Sequence, residues 1–269
     1  MSEAKYSPEE IVTKLGLKPV TPYQSEIISS PLEPSVVIAG AGSGKTETMS
    51  NRVLYLVANG FVTPDQILGL TFTRKAAGEL SVRIRKRLRQ LAADKEFKHI
   101  TSTSTSVTTY HSYAGKLLSE HAIRYGIDAD AEPLGEAAIW QIASDVVRNW
   151  SDDSYRNQSA VSTVIKDLLG LSKLMLEHQV KAVDIERIGN EVLASLQPLT
   201  GSSNAEVRDV AKAMRQRNSL LPMVETFMQR RKAAGEFSFD DQMSLAADIA
   251  QNFEDVGVLE RGKYKVVLL

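Results

Sequence analysis

The sequence predicts an α/β fold: a parallel sheet, incomplete within this chain, into which an all-helical subdomain is inserted. Three observations carry that expectation. Short, unbroken apolar runs alternate with helical patterns in the first half of the chain, at Ser35-Val36-Val37-Ile38-Ala39, Ile67–Phe72 and Val107–Tyr110. Such runs mark strands buried on both faces of a parallel sheet. From about Leu134 to Ala234 helical periodicity takes over and strand signals vanish, and the apolar run Tyr264–Leu269 then restores the strand composition.

The elements follow in order. Ser7-Pro8-Glu9-Glu10 opens a helix with Ser as N-cap, Pro at the first position and Glu at the third. Thr21-Pro22-Tyr23-Gln24 repeats the device with Gln as the third residue, and Pro31 and Pro34 then break the chain. The run Ser35–Ala39 is expected to be a buried strand. Gly40–Gly44 forms a tight loop, and Lys45–Asn59 reads as a helix closed by Gly60. After the turn at Thr63-Pro64-Asp65 come the strand Ile67–Phe72 and a helix capped by Thr73, giving strand and helix alternation at βαβ spacing. Asp94–Ser106 is polar and reads as a mobile loop, and Ser112–Tyr125 as a helix. Five helices are expected in the insertion, at Leu134–Trp150, Ala160–His178, Ala182–Leu196, Ala205–Arg217 and Pro222–Ala234. Ser238-Phe239-Asp240-Asp241 caps a further helix ending near Phe253. The expected division is residues 1–125, 126–235 for the helical insertion, and 236–269 for the return to the sheet.

Composition narrows the function. Hydrophobic residues make up 43% and charged residues 24% of 269, the balance of a globular protein. Cysteine is absent, which excludes disulfides and thiolate metal sites and fits a reducing cytoplasm. The four histidines, His99, His111, His121 and His178, lack metal-ligand spacing. Met1–Tyr6 lacks the apolar core of a signal peptide, and no apolar run approaches the roughly 20 residues of a membrane span. Net charge is −1. Between Thr73 and Gln90, however, Arg74, Lys75, Arg83, Arg85, Lys86, Arg87 and Arg89 face Glu79 alone. That helix is either a phosphate-facing surface or a solvated face.

The most specific signal is Ala39-Gly40-Ala41-Gly42-Ser43-Gly44-Lys45-Thr46, between a strand run and a helix. This is the context of a phosphate-binding P-loop. Its glycines let backbone N–H groups wrap a phosphate at a helix N-terminus. Lys45 would bridge the β and γ phosphates of ATP and the Thr46 hydroxyl would hold Mg²⁺. A P-loop specifies a nucleoside triphosphate and not the work done with it.

Four blocks, in order, decide among P-loop proteins: Thr21-Pro22-Tyr23-Gln24, Ala39–Thr46, Leu70-Thr71-Phe72-Thr73-Arg74-Lys75-Ala76-Ala77 and Thr109-Tyr110-His111-Ser112. Together they resemble the superfamily 1A DNA helicases of the UvrD/Rep/PcrA and RecB-like kind. The blocks correspond to the Q motif and motifs I, Ia and Ib, and Ala39 is normal at its position in that family. The resemblance implies a RecA-like P-loop sheet (domain 1A) with a helical 1B insertion, and ATP-driven 3′-to-5′ translocation on DNA in repair or recombination. It implies adenine recognition by Gln24, whose amide otherwise belongs to a capping box. It implies single-stranded DNA contacts from Phe72, Thr73, Arg74, Lys75, Thr109, Tyr110 and His111. Phe72 is alternatively the last core residue of its strand, and His111 a cap. Asp240 and Asp241 are read as helix-cap residues in preference to metal ligands.

Within the family, Arg74 stands where Asn is common, Tyr110 where Phe is, and Glu47 where Arg often follows the Gly-Lys-Thr. Glu47-Thr48-Met49, Val57–Gly60 and the Thr73–Ala77 run look most like actinobacterial helicase–nuclease subunits, a resemblance that implies a second subunit and a cytoplasmic, nucleoid-associated protein. Tyr264–Leu269 resembles the strand that precedes motif II. The Asp-Glu pair expected next, a second RecA-like domain and a nuclease do not follow it, so the fragment itself is expected not to hydrolyse ATP. Lys212, Arg215, Arg217, Arg230, Arg231 and Lys232 of the insertion are either contacts to duplex DNA or a solvated face. The alternatives are a non-motor P-loop NTPase or kinase, or a DNA-binding module alone.

Overall fold

The structure, a computed structural model, describes residues 4–128, 130–151, 160–197 and 205–269. Met1-Ser2-Glu3 lies outside them. The chain forms two compact units, residues 1–113 with 253–269 and residues 114–252.

In the first unit, α1 (Pro8–Lys14) and α2 (Pro22–Ser29) each begin with a complete capping box, from Ser7 with Glu10 and from Thr21 with Gln24. Helix α3 (Lys45–Ala58) follows the glycine loop. Strand β1 (Ile67–Thr71) leads to α4 (Arg74–Ala92), capped by the Thr73 hydroxyl, which accepts from the Ala76 N–H. Strand β2 (Ser106–Thr109) pairs parallel with β1, and β3 (Val266–Leu268) pairs parallel on its other side, in the order β2-β1-β3. Parallel neighbours require crossover connections, and α4 supplies the one between β1 and β2. Its buried stripe, Leu80, Ile84, Leu88 and Leu91, follows helical spacing and packs with Val53, Leu54 and Val57 of α3, Ile28 of α2 and Ile67 of β1. Helix α5 (Tyr110–His121) starts directly after β2, and α11 (Glu254–Lys263) leads into β3.

The second unit is helical: α6 (Glu136–Arg148), α7 (Val161–Glu177), α8 (Ala182–Leu196), α9 (Ala205–Ala233) and α10 (Asp241–Asn252). Its core joins Ala143 and Val147 of α6, Val164 and Leu168 of α7, and Met223, Val224 and Phe227 of α9. Arg231 and Asp241, both buried, form an ion pair; Asp241 also accepts from the Ser238 N–H at 2.6 Å. Asp240 pairs with Lys173. Both aspartates are therefore held by cations and a turn, and no group of three or more metal-ligating side chains occurs among the described residues. No described helix is long and apolar enough to cross a membrane.

Four expectations are corrected. Ser35–Ala39 forms no strand: Val36 is 87% and Ile38 96% exposed. An apolar run becomes a buried strand only with lateral partners, and among the described residues none pairs with it. Asp94–Ser106 is anchored rather than loose, because Phe97 and Ile100 are buried and the Phe97 ring lies against Tyr6 at 4.8 Å. The two helices expected at Ala205–Arg217 and Pro222–Ala234 are one, α9, with Pro222 inside it. Proline removes one N–H and crowds the preceding turn, at about 3 kcal/mol. Leu220, Leu221, Met223 and Val224, buried on both sides of it, hold the helix together. Finally, α11 occupies residues for which no helix is expected.

Candidate functional site

The glycine loop Ala39–Thr46 is built as a cradle. Gly42 and Gly44 have φ of 78° and 88°, in the left-handed region that side-chain-bearing residues avoid. Gly44 is the N-cap of α3, and no side chain caps that helix, so its leading N–H groups remain available for an anion. Lys45 Nζ folds back to donate to the Ala39 and Gly40 carbonyls at 3.0 and 2.8 Å. Ser43 Oγ donates to the Gly40 carbonyl at 2.9 Å. Ala41, Lys45 and Thr46 are exposed. A flexible ammonium resting on carbonyls beside uncapped helix amides fits a polyphosphate, which would replace those weaker acceptors. The exposed Thr46 hydroxyl fits the part of an Mg²⁺ ligand.

Gln24 reaches this loop from α2. Its Oε1 accepts from the Thr21 N–H at 3.1 Å, completing the capping box, and its Nε2 donates to the Ser43 carbonyl at 3.2 Å. An amide oxygen has a second lone pair and an amide nitrogen a second proton. Gln24 thus caps its helix and sits on the phosphate loop at once. Contact is close: a Cβ on Gly44 would lie 2.9 Å from Gln24 Nε2.

Sequence reasoning missed the residue that holds α2 against α3. Arg52 donates to the carbonyls of Ile27, Ile28 and Ser30 at 3.1, 2.9 and 3.0 Å, and to Pro31 at 2.9 Å. Burial pushes its guanidinium below the ordinary value; the group stays charged because an arginine does not deprotonate in a protein. A cation at a helix C-terminus satisfies orphan carbonyls and complements the helix dipole. The available signal was negative: α2 ends at Ser30-Pro31 with neither a glycine cap nor a basic residue in its last turn.

The second group of expected residues gathers at the carboxyl ends of β1 and β2. Parallel register pairs Thr71 with Thr109, which sets Phe72 beside Tyr110. Their rings lie 5.2 Å apart, tilted by 40°. Phe72 is 89% exposed, so it is no core residue of its strand. Tyr110 packs on Leu68, Leu70 and Tyr264. Thr73, Arg74, Lys75 and His111 are exposed at the same strand ends. Thr109 is buried, and its hydroxyl caps α5 by accepting from the Ser112 N–H at 3.1 Å. Open α/β sheets take ligands outside the carboxyl ends of their strands.

The basic face of α4 is partly neutralised within the unit. Glu47 holds Arg87 at 2.6 Å and Arg83 at 3.4 Å. In the helical unit, Arg217 donates to the Ile185 carbonyl, Arg230 lies 3.9 Å from Asp145, Lys232 lies over the Tyr125 ring, and Arg231 is buried; Lys212 and Arg215 are exposed.

The ATP-dependent DNA helicase UvrD1 of Mycobacterium tuberculosis (strain ATCC 25618 / H37Rv) is 28% identical over 250 residues, which cover 93% of this chain and 28% of that protein. UvrD1 of Mycobacterium leprae is 25% identical over 262 residues, 97% of this chain and 29% of that protein. The ATP-dependent DNA helicase PcrA of Staphylococcus aureus (strain NCTC 8325 / PS 47) is 32% identical over 131 residues, 49% of this chain and 17% of that protein. The chain spans less than a third of the length of these relatives. The sequence profile of the UvrD/REP helicase N-terminal domain matches residues 20–269, and the chain belongs to that family.

Proposed function

We propose that this chain is the ATP- and single-stranded-DNA-binding N-terminal part of an ATP-dependent DNA helicase that moves 3′ to 5′ and serves repair or recombination. The observation that carries this reading is the pairing of two sites in one compact unit: a phosphate cradle with Gln24 on its rim, and an exposed aromatic pair with Arg74, Lys75 and His111 at the ends of adjacent parallel strands. A small-molecule kinase needs the first site and gives no reason for the second. Residues 1–125 and 236–269 would form domain 1A and residues 126–235 its 1B insertion, which would meet duplex DNA through exposed cations such as Lys212 and Arg215. The likeness of Glu47-Thr48-Met49 to helicase–nuclease subunits favours a double-strand-break processing role beside a second subunit, in the cytoplasm at the nucleoid.

At the cradle, Lys45 would exchange the Ala39 and Gly40 carbonyls for phosphate oxygens, the amides of Gly40–Thr46 would surround them, and Gln24 would present its free lone pair and proton to the adenine edge. When bound with ATP, Mg²⁺ neutralises phosphate charge, and Thr46 would hold it. At the strand ends, Phe72 would stack on a base while Arg74 and Lys75 hold phosphates. Glu47, the carboxylate next to Thr46 in sequence, is held by Arg83 and Arg87. We expect this chain alone to bind ATP without turning it over.

Two measurements test the reading. Binding of a fluorescent oligo-dT should weaken steeply with salt, as counterion release requires; salt-independent binding or none would overturn the DNA site. DNA-stimulated phosphate release by the purified chain would overturn its expected inactivity.

A further inference from the structure

Glu47 directly follows Thr46, in the first turn of α3, where an acidic side chain would stand beside an incoming polyphosphate. Its carboxylate is instead neutralised from α4: one oxygen accepts from Arg87 Nη2 at 2.6 Å and the other from Arg83 Nη1 at 3.4 Å. Arg87 Nη1 also donates to Asn51 Oδ1 at 3.1 Å, one turn further along α3. The pairs Glu47–Arg83 and Asn51–Arg87 are each separated by 36 residues, so α3 and α4 lie side by side and run in the same direction. The contact is built into the unit: the Arg87 side chain is only 12% exposed and Asn51 is buried. Exposed ion pairs contribute little, but a shielded guanidinium fixed at both ends of its fork is held in one orientation.

Helix α4 is also the helix whose first turn carries Arg74 and Lys75 and whose cap, Thr73, adjoins Phe72. Its buried stripe makes it a single rod, and Arg83 lies roughly 14 Å along that rod from Arg74 at 1.5 Å per residue. Negative charge arriving at the start of α3 would repel the Glu47 carboxylate and attract the two guanidiniums facing it. That rebalances the contact holding α4.

We propose that Glu47 is a positioning residue which, through Arg87 and Arg83, couples the phosphate loop to the stance of α4 and so to the nucleic-acid-facing residues at its start. This rests on the reading of the two sites given above. It assigns a role to Glu47.

The test is a titration of the whole 269-residue chain, ¹⁵N-labelled, with ATP and Mg²⁺, following backbone amide shifts by NMR. Amides of Gly40–Thr46 should shift in the wild type and equally in Glu47→Gln. Amides of Thr73–Ala77 should shift in the wild type and lose most of that response in Glu47→Gln and, independently, in Arg87→Gln. Silent loop amides in the wild type would overturn the nucleotide site itself. Loop amides that respond while Thr73–Ala77 stay silent in the wild type, or respond alike in all three proteins, would overturn the coupling and leave the nucleotide site standing. Variants whose Thr73–Ala77 signals have already collapsed without ATP would reduce Glu47 to a structural brace, which also overturns it.

Discussion

The two halves of the candidate site are positioned by different means. At the carboxyl ends of β1 and β2, the local sequence does nearly everything. Thr73 caps α4, Thr109 caps α5, and parallel register sets Phe72 beside Tyr110. At the glycine loop, the preceding run Ser35–Ile38 is exposed and pairs with no described strand, and side chains distant in sequence hold the loop: Gln24 on its rim, and Arg52 on the end of the helix that carries Gln24. The first region is a sheet edge whose geometry follows from pairing. The second is a loop on a helix start, held by side chains. Damage should therefore spread differently. Breaking a support of the loop should disturb nucleotide binding, whereas a change at the strand ends should act on nucleic acid alone.

The sharpest separation is expected from Lys45→Ala. It removes a charge-assisted contact of about 1.5–3 kcal/mol to a phosphate and should abolish measurable ATP binding by calorimetry while oligo-dT affinity in the absence of nucleotide stays at the wild-type value. Arg52→Ala comes next. It leaves four carbonyls without their partner, at a cost of about 2–3 kcal/mol, seen as a lower midpoint in urea unfolding and as weaker ATP binding. Lys in its place would restore charge without the fork, and should recover only part of either loss. Phe72→Ala should weaken oligo-dT binding by about 1–3 kcal/mol and leave ATP binding and the unfolding midpoint unchanged, since the ring is exposed. Smallest is Thr73→Ala, which removes the α4 cap at about 1 kcal/mol. A thermal melt should detect it, with a modest loss of DNA affinity as the first turn frays.

The same contrast explains what could be read from the sequence. Capping boxes, the glycine loop, β1, β2 and most helices are local or periodic signals, and the residues that form them carry those signals themselves: Ser7 with Glu10, Thr21 with Gln24, Thr73, and the stripe Leu80–Leu91. The capping role of Gln24 is legible in Thr21–Gln24, whereas its contact with the Ser43 carbonyl is not. Failures of reading arose where partners are distant. Ser35–Ala39 has strand composition, but pairing is a property of its neighbours. Pro222 signals a break, yet buried side chains on either side outweigh it. Phe97 and Ile100 anchor a segment whose other residues are polar. Arg52 and the Glu47–Arg87 contact could not be seen at all, since an arginine in a helix pattern does not reveal which carbonyl or carboxylate it meets.

The central claim is that two distinct ligand sites share one compact unit, a phosphate cradle at Ala39–Thr46 and a nucleic-acid edge at Phe72 and its neighbours. The most direct test compares Lys45→Ala and Phe72→Ala side by side, measuring ATP binding by calorimetry and oligo-dT binding by anisotropy on each. A crossed result is predicted, with Lys45→Ala losing ATP only and Phe72→Ala losing affinity for DNA only. Both ligands weakened equally by both substitutions, or DNA affinity indifferent to the loss of Phe72, would contradict it.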